Sequence, residues 1–288
     1  ASLPGVEIGG RVMIFDLGGG TFDVTFAEVK NKKVDVLTSR GDKYLGGRDF
    51  DNEITKLMKK KYFDIHNVEI DIENNKQYLH KAEEVKKILS VKDKANIEIN
   101  GPKGLQKIEI TQDEFEESIQ TYIEKIKMLI EEAMDASGMN PSRINQTLLV
   151  GGSTRMPIIT KVLTQLMGKA PVKGVNVDEA VVCGAAIYAG LKTEKETLSD
   201  EQQEALKDVN LTDVCNFYMG TLAYVTDSHT NRKVVANTII IERDAKLPVS
   251  VTKRYTTISE GQEELECNVT QSEGPEDNKE FVNIIHEE

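Results

Sequence analysis

The sequence predicts an α/β lobe that runs on into antiparallel β-structure, and three observations predict it. A triple-glycine bend, Gly18-Gly19-Gly20, sits between two β-patterned stretches near the start of the chain. A short apolar run, Thr147-Leu148-Leu149-Val150, leads directly into Gly151-Gly152 and then a helical pattern. Residues 237–248 and 254–258 alternate apolar and polar residues among turn formers, which indicates antiparallel strands.

Composition sets the outer bounds. With 288 residues the chain is long enough for about two domains with their own cores. No apolar run approaches the roughly 20 residues that cross a bilayer. The opening Ala1-Ser2-Leu3-Pro4-Gly5 lacks a basic segment followed by an apolar one, so neither a membrane segment nor a secretory signal is expected. A formal net charge of −12 argues against nucleic acid as the main partner, since a phosphate backbone rewards a basic face. Cys183, Cys215 and Cys267 are odd in number and form no Cys-x-x-Cys, which suits free thiols in a reducing, cytoplasmic compartment. Asn-x-Ser/Thr matches at Asn145, Asn210 and Asn268 are then accidental. His66, His80, His229 and His286 lie too scattered for a zinc site.

The elements follow in order. Val12-Met13-Ile14-Phe15 is a strand ending at Asp16, and Val24-Thr25-Phe26-Ala27-Glu28-Val29 resumes the β pattern after the bend. Successive glycines let a backbone approach an anion without a Cβ in the way, so turn amides can converge on phosphate oxygens. Thr21 adds a hydroxyl donor, and Asp16 is placed to act on a phosphate-bound Mg²⁺ through the ion's retained waters. No Gly-Lys-Ser/Thr follows and the chain re-enters a strand, so this is not a P-loop; taken alone it is also what an ordinary tight turn looks like. Leu45-Gly46-Gly47-Arg48-Asp49-Phe50-Asp51 then opens a helix with spacing from Asp49 to Phe63, and residues 77–90 form a second. Residues 95–99 and 107–110 are short strands. Thr111-Gln112-Asp113-Glu114 is a capping box for one long helix whose apolar face is Phe115, Ile119, Tyr122, Ile123, Ile126, Ile130 and Ala133.

After the strand at residues 147–150, Gly151-Gly152-Ser153-Thr154-Arg155-Met156-Pro157 starts a helix that continues to Met167. Ser153 or Thr154 suits its cap and Pro157 its first turn. The glycine pair stays open between helix initiation and ligand access at a strand's carboxyl end. Asn176 to Gly190 is a helix with acids in its first turn, and the small residues Gly184, Ala185 and Ala189 suit a close helix contact. Residues 192–207 are polar and acidic. Residues 237–248 and 254–258 read as strands.

These segments, in this order, resemble the heat-shock protein 70 family of DnaK-like chaperones, and in particular the second lobe of its actin-like, ribonuclease H-like ATPase fold. Asp16 to Asp23 resembles the family's second phosphate motif, Leu45 to Asp51 its turn into a small subdomain, Leu148 to Pro157 its adenosine motif and Asp178 to Ala186 its second connecting helix. The resemblance implies a large subdomain at 1–44 and 120–192, an α+β small subdomain at 45–119, a linker at 193–212 and a partial substrate-binding antiparallel β-sandwich at 213–288. It implies ATP or ADP with Mg²⁺ as ligands, with Asp16, Thr21 and Asp23 on the catalytic side. Gly18, Gly19, Gly20, Thr21, Glu83, Lys86, Lys87, Ser90, Gly151, Gly152, Ser153, Arg155 and Asp178 would contact the nucleotide. Lys87 stands where the family usually carries an arginine, and it lacks the flat guanidinium that stacks on adenine; outside the family frame these lysines read as a solvated helix face. Val209 to Val214 resembles the coupling linker but is less apolar than usual. The expected function is an ATP-dependent chaperone present as a fragment without the first ATPase lobe and the lid, inactive in hydrolysis alone. Its partners would be unfolded client peptides and J-domain or exchange co-chaperones. The alternative is a heat-shock 110-like exchange factor that does not hydrolyse ATP.

Overall fold

The computed structural model describes residues 9–73, 75–172, 179–226 and 230–287. The chain divides into two compact units, one built from the chain up to Val34 with Arg40–Val209, the other from Asp35–Ser39 with the chain from Asn210 on. Among the described residues no helix is long and apolar enough to cross a membrane.

The first unit begins with β1 (Gly10–Leu17) and β2 (Phe22–Lys30), antiparallel neighbours whose register sets Asp16 opposite Asp23 and Leu17 opposite Phe22. Val12, Met13, Phe15 and Leu17 of β1 and Phe22, Val24 and Phe26 of β2 are buried. Asn31 and Lys32, both in the left-handed region, turn the chain into β3 (Lys33–Asp42). Helix α1 (Gly47–His66) starts where the Asp49 carboxylate accepts the Gly46 N–H at 2.8 Å and stops at Asn67, in the left-handed conformation. Phe50, Ile54, Met58 and Tyr62 recur every fourth residue and are fully buried, so one stripe of α1 faces the core. The stripe of α2 (Lys76–Leu89) is Tyr78, Ala82, Val85 and Leu89. The hairpin of β4 (Lys94–Gly101) and β5 (Gly104–Thr111) buries Ala95, Ile97, Ile99, Ile108 and Ile110 against them.

The expected capping box is present: the Thr111 hydroxyl accepts the Glu114 N–H at 3.2 Å and the Glu114 carboxylate accepts the Thr111 N–H at 2.9 Å. It opens not one long helix but two, α3 (Gln112–Ser118) and α4 (Gln120–Ser137), which meet at Ile119 with φ −99° and ψ 5°. Each half has its own partner: α3 packs on α1 and β5, α4 on β2. Phe115 and Ile119 are both buried. Strand β6 (Gln146–Val150) lies parallel to β1 on the side away from β2. A 3₁₀ turn, Gly152–Arg155, precedes α5 (Pro157–Met167). Pro157 occupies its first turn, but neither Ser153 nor Thr154 caps it; Met156 holds the cap position and makes no side-chain bond. The Ser153 hydroxyl donates instead to the Gly18 carbonyl, and the Thr154 hydroxyl to the Gly151 carbonyl.

Helix α6 (Ala180–Lys192) departs from expectation too. Gly184, Ala185 and Ala189 are exposed, with no helix crowded against them among the described residues. The close approach is at Gly190, where an added Cβ would stand 2.8 Å from the Leu206 side chain of α7 (Asp200–Leu206). In the second unit β7 (Asn210–Thr212) lies beside β3. A four-stranded antiparallel sheet runs in the order β11-β10-β8-β9, from β8 (Tyr218–Thr226), β9 (Lys233–Ile241), β10 (Asn268–Ser272) and β11 (Asn283–Glu287). Residues 254–258, expected as a strand, are exposed and lie in no strand among the described residues, while β8, not foreseen, pairs with β9 from Met219 to Thr226.

Phe50→Ala removes a fully buried ring that meets Tyr122 edge-on at 5.9 Å. It should lower the stability of the first unit by about 3–5 kcal/mol in urea titration, and a loss below about 1 kcal/mol would contradict the placement of this core.

Candidate nucleotide site

The site grows out of the bend between β1 and β2. The Gly18 N–H donates to the Thr21 carbonyl at 3.0 Å, closing the turn. The Gly18 carbonyl accepts from the Gly47 N–H at 2.9 Å and the Ser153 hydroxyl at 3.0 Å, and the Gly19 carbonyl accepts from the Arg48 N–H at 2.8 Å. Each carbonyl shares a planar trans peptide with the next residue's N–H, which points the opposite way. The amides of Gly19 and Gly20 are therefore turned away from the start of α1, and no partner for them is found among the described residues. Thr21 is exposed beside them. Two unpartnered amides and a hydroxyl on one bend form a donor set for an anion.

Such convergence needs missing side chains. A Cβ on Gly46 would lie 2.5 Å from the Gly20 nitrogen, and one on Gly47 2.7 Å from the Ser153 hydroxyl. Gly151 has φ +85°, and a Cβ there would stand 2.4 Å from the Leu17 carbonyl.

Beside the turn opens a cavity of about 480 Å³, within the range of small-molecule sites. Three elements wall it: the start of α1 (Gly47, Arg48, Asp51), the last turns of α2 and the residues after it (Glu83, Lys86, Lys87, Ser90, Val91), and the 3₁₀ turn (Gly152, Ser153, Arg155, Met156), with Gly19 at the turn side. Lys86 is buried; its ammonium pairs with the Asp51 carboxylate at 2.8 Å and donates to the Gly47 carbonyl at 2.8 Å. Burial raises Asp51 above the usual carboxylate range, with Lys86 opposing it. Lys87 pairs along the helix with Glu83 at 2.7 Å, and that bond holds Glu83 below its ordinary value. The Ser90 hydroxyl donates to the Lys86 carbonyl at 3.0 Å.

Of the residues expected to contact a nucleotide, Gly19, Glu83, Lys86, Lys87, Ser90, Gly152, Ser153 and Arg155 share this wall. Gly18, Gly20 and Thr21 belong to the turn, Asp16 and Asp23 to the strand ends beside it, and Gly151 sits behind, against Leu17. Asp178 lies outside the described residues. Gly47, Arg48 and Asp51 join the wall without having been singled out as contacts, although the motif from Leu45 to Asp51 contains all three.

Asp16 and Asp23 face each other across the hairpin. Burial raises Asp16, and burial followed by the neighbouring Asp16 carboxylate pushes Asp23 up to about 6. No cation is paired with either among the described residues, and two adjacent carboxylates beside free amides fit a hydrated divalent ion.

A family model described as Hsp70 protein matches residues 6–283. The chain is similar to proteins named "Chaperone protein DnaK" from Thermosipho africanus, 33% identical over 92% of this chain and 43% of that protein, and from Trieres chinensis, 36% identical over 91% and 41%. It is also similar to the namesake from Thermotoga neapolitana, 32% identical over 92% and 44%. The chain thus spans less than half the length of these relatives.

Because burial and the neighbouring Asp16 carboxylate raise Asp23 above its ordinary carboxylate value in the folded chain, the folded state holds a proton that the unfolded state releases. Its contribution to stability is complete below the unfolded value and is lost as pH rises through about 6. Asp23→Asn should therefore stabilise the chain at neutral pH, with the gain vanishing in acid, as read by urea midpoints. The carboxyl carbon of Asp23 should titrate near pH 6 by NMR and lower in Asp16→Asn. An ordinary carboxylate midpoint in the parent chain would contradict this electrostatic picture.

Proposed function

The chain belongs to the Hsp70 family, and from that premise we propose that it forms one wall of the adenine-nucleotide site of a cytoplasmic, ATP-driven molecular chaperone. The observation that carries the reading is the glycine bend: its carbonyls are consumed inside the protein, so its amides are left for an anion beside a cavity of nucleoside size. The amides of Gly19 and Gly20 and the Thr21 hydroxyl hold the terminal phosphates. Asp16 orders Mg²⁺ through the ion's waters, and Asp23 supports it across the hairpin. Glu83, Lys86, Lys87 and Ser90 flank the adenosine on one side, and Gly151, Gly152, Ser153 and Arg155 on the other. Asp178 joins them by its motif alone. The bound Mg-nucleotide supplies the phosphoanhydride; the chain's own residues bind, orient and neutralise, which is nearly all that phosphoryl transfer asks of a protein. Lys87 is engaged with Glu83 and has no guanidinium plane, so adenine is held less tightly than an arginine would hold it.

The domain reading stands as part of the same proposal: residues 1–44 and 120–192 as large subdomain, 45–119 as small subdomain, 193–212 as linker and 213–288 as a portion of the peptide-binding β-domain. Nucleotide state would bias the affinity of that β-domain for extended client segments, with J-domain and exchange partners acting on the cycle.

With donors on one wall alone, the expected affinity of this chain for Mg-ADP is weak, about 1 mM. Amide NMR during Mg-ADP titration should move Gly19, Gly20, Thr21 and the residues of α2 together, and Gly19→Val should abolish the response. No shift at these amides up to about 10 mM would sink the reading.

A further inference from the structure

Four cationic side chains line the cavity: Arg48, Lys86, Lys87 and Arg155. Three are already engaged, Lys86 with Asp51 and the Gly47 carbonyl, Lys87 with Glu83, and Arg155 with a partner of its own. The guanidinium of Arg48 has no hydrogen-bond or ion-pair partner among the described residues, and the residue is exposed at the cavity wall.

Its backbone is nevertheless fixed in place, because its N–H donates to the Gly19 carbonyl at 2.8 Å. That bond tethers the root of the side chain to the same bend whose amides are free. Arg48 is also the second residue of α1. The positive end of the helix dipole disfavours a cation there and favours acids, as Asp49 next to it illustrates. A cation placed against the dipole, unpaired, and lining the cavity next to the glycine bend is explained if an anion completes the set.

We propose that Arg48 binds a phosphate of the nucleotide and so selects for the phosphorylated end of the ligand over its adenosine. The inference rests on the nucleotide reading of the cavity and adds a phosphate contact to it. A guanidinium presents a planar fork that meets two phosphate oxygens at once, which a lysine at this position would not reproduce.

The test compares Mg-ADP with adenosine on the full 288-residue chain, using amide NMR titration of the parent, Arg48→Gln and Arg48→Lys. Arg48→Gln keeps the long stem and the backbone bond to Gly19. Its melting temperature should equal or exceed the parent's, since a cation leaves the positive end of α1. The expected result is a loss of about tenfold in Mg-ADP affinity for Arg48→Gln, a partial loss for Arg48→Lys, and unchanged adenosine binding. Equal losses for both ligands would place Arg48 on the nucleoside and overturn the proposal. Normal binding of Mg-ADP by Arg48→Gln would overturn it while leaving the nucleotide reading intact. If the parent chain binds neither ligand, both readings fall.

Discussion

The carbonyl oxygens of Gly18 and Gly19 point into the protein, and the rest of the site depends on that one orientation. They are held by the first two amides of α1 and by the Ser153 hydroxyl, contributed from 135 residues further along the chain. Because a trans peptide sets its N–H opposite its carbonyl, fixing two oxygens inside fixes two donors outside without any side chain having to aim them. Preorganised donors of this kind cost no reorganisation when an anion arrives. The arrangement requires backbone to meet backbone at van der Waals distance. Gly46, Gly47 and Gly151 are there because any Cβ at those places would collide with the bend, with Ser153 or with Leu17.

A second constraint ties the cavity wall to the bend. Lys86, reaching from α2, is buried against Asp51 and the Gly47 carbonyl at the start of α1, the same segment whose amides grip Gly18 and Gly19. Desolvation still outweighs Lys86 at Asp51, whose carboxyl stays raised despite the pair. Its role is better read as geometric: α2 cannot shift along α1 without leaving a buried charge uncompensated, which typically costs about 3–5 kcal/mol. Lys86 thereby links α2 to the start of α1, and through it to the glycine bend.

Much of this was legible in the sequence because it is written in local periodicity. Phe50, Ile54, Met58 and Tyr62 mark α1 and its buried face directly, and the capping box at Thr111 and Glu114 marks the start of α3. What escaped was set by partners distant in the chain. The break at Ile119 arises because α3 and α4 pack on different neighbours, which no helical wheel reveals. Ser153 has the composition of a helix cap, yet its hydroxyl goes to Gly18. Residues 254–258 alternate like a strand but lie in no strand among the described residues, whereas β8 pairs with β9 despite a weaker pattern. The small residues of α6 promised a crowded contact and remain exposed. Within the site, Asp51 and Arg48 were visible as letters of a motif; what sets them apart emerges only when Lys86 is seen to pair with Asp51 while Arg48 has no side-chain partner among the described residues.

The central claim is that the free amides of the bend face the phosphates of a bound metal–nucleotide. Replacing Mg²⁺ by Mn²⁺ in a complex with ADP places a paramagnetic centre at those phosphates, and amide line broadening then maps distance from it. The account predicts broadening centred on Gly19, Gly20 and Thr21 and extending to Asp16 and Asp23. Broadening centred elsewhere, with the bend's amides left sharp while the nucleotide is bound, would contradict it.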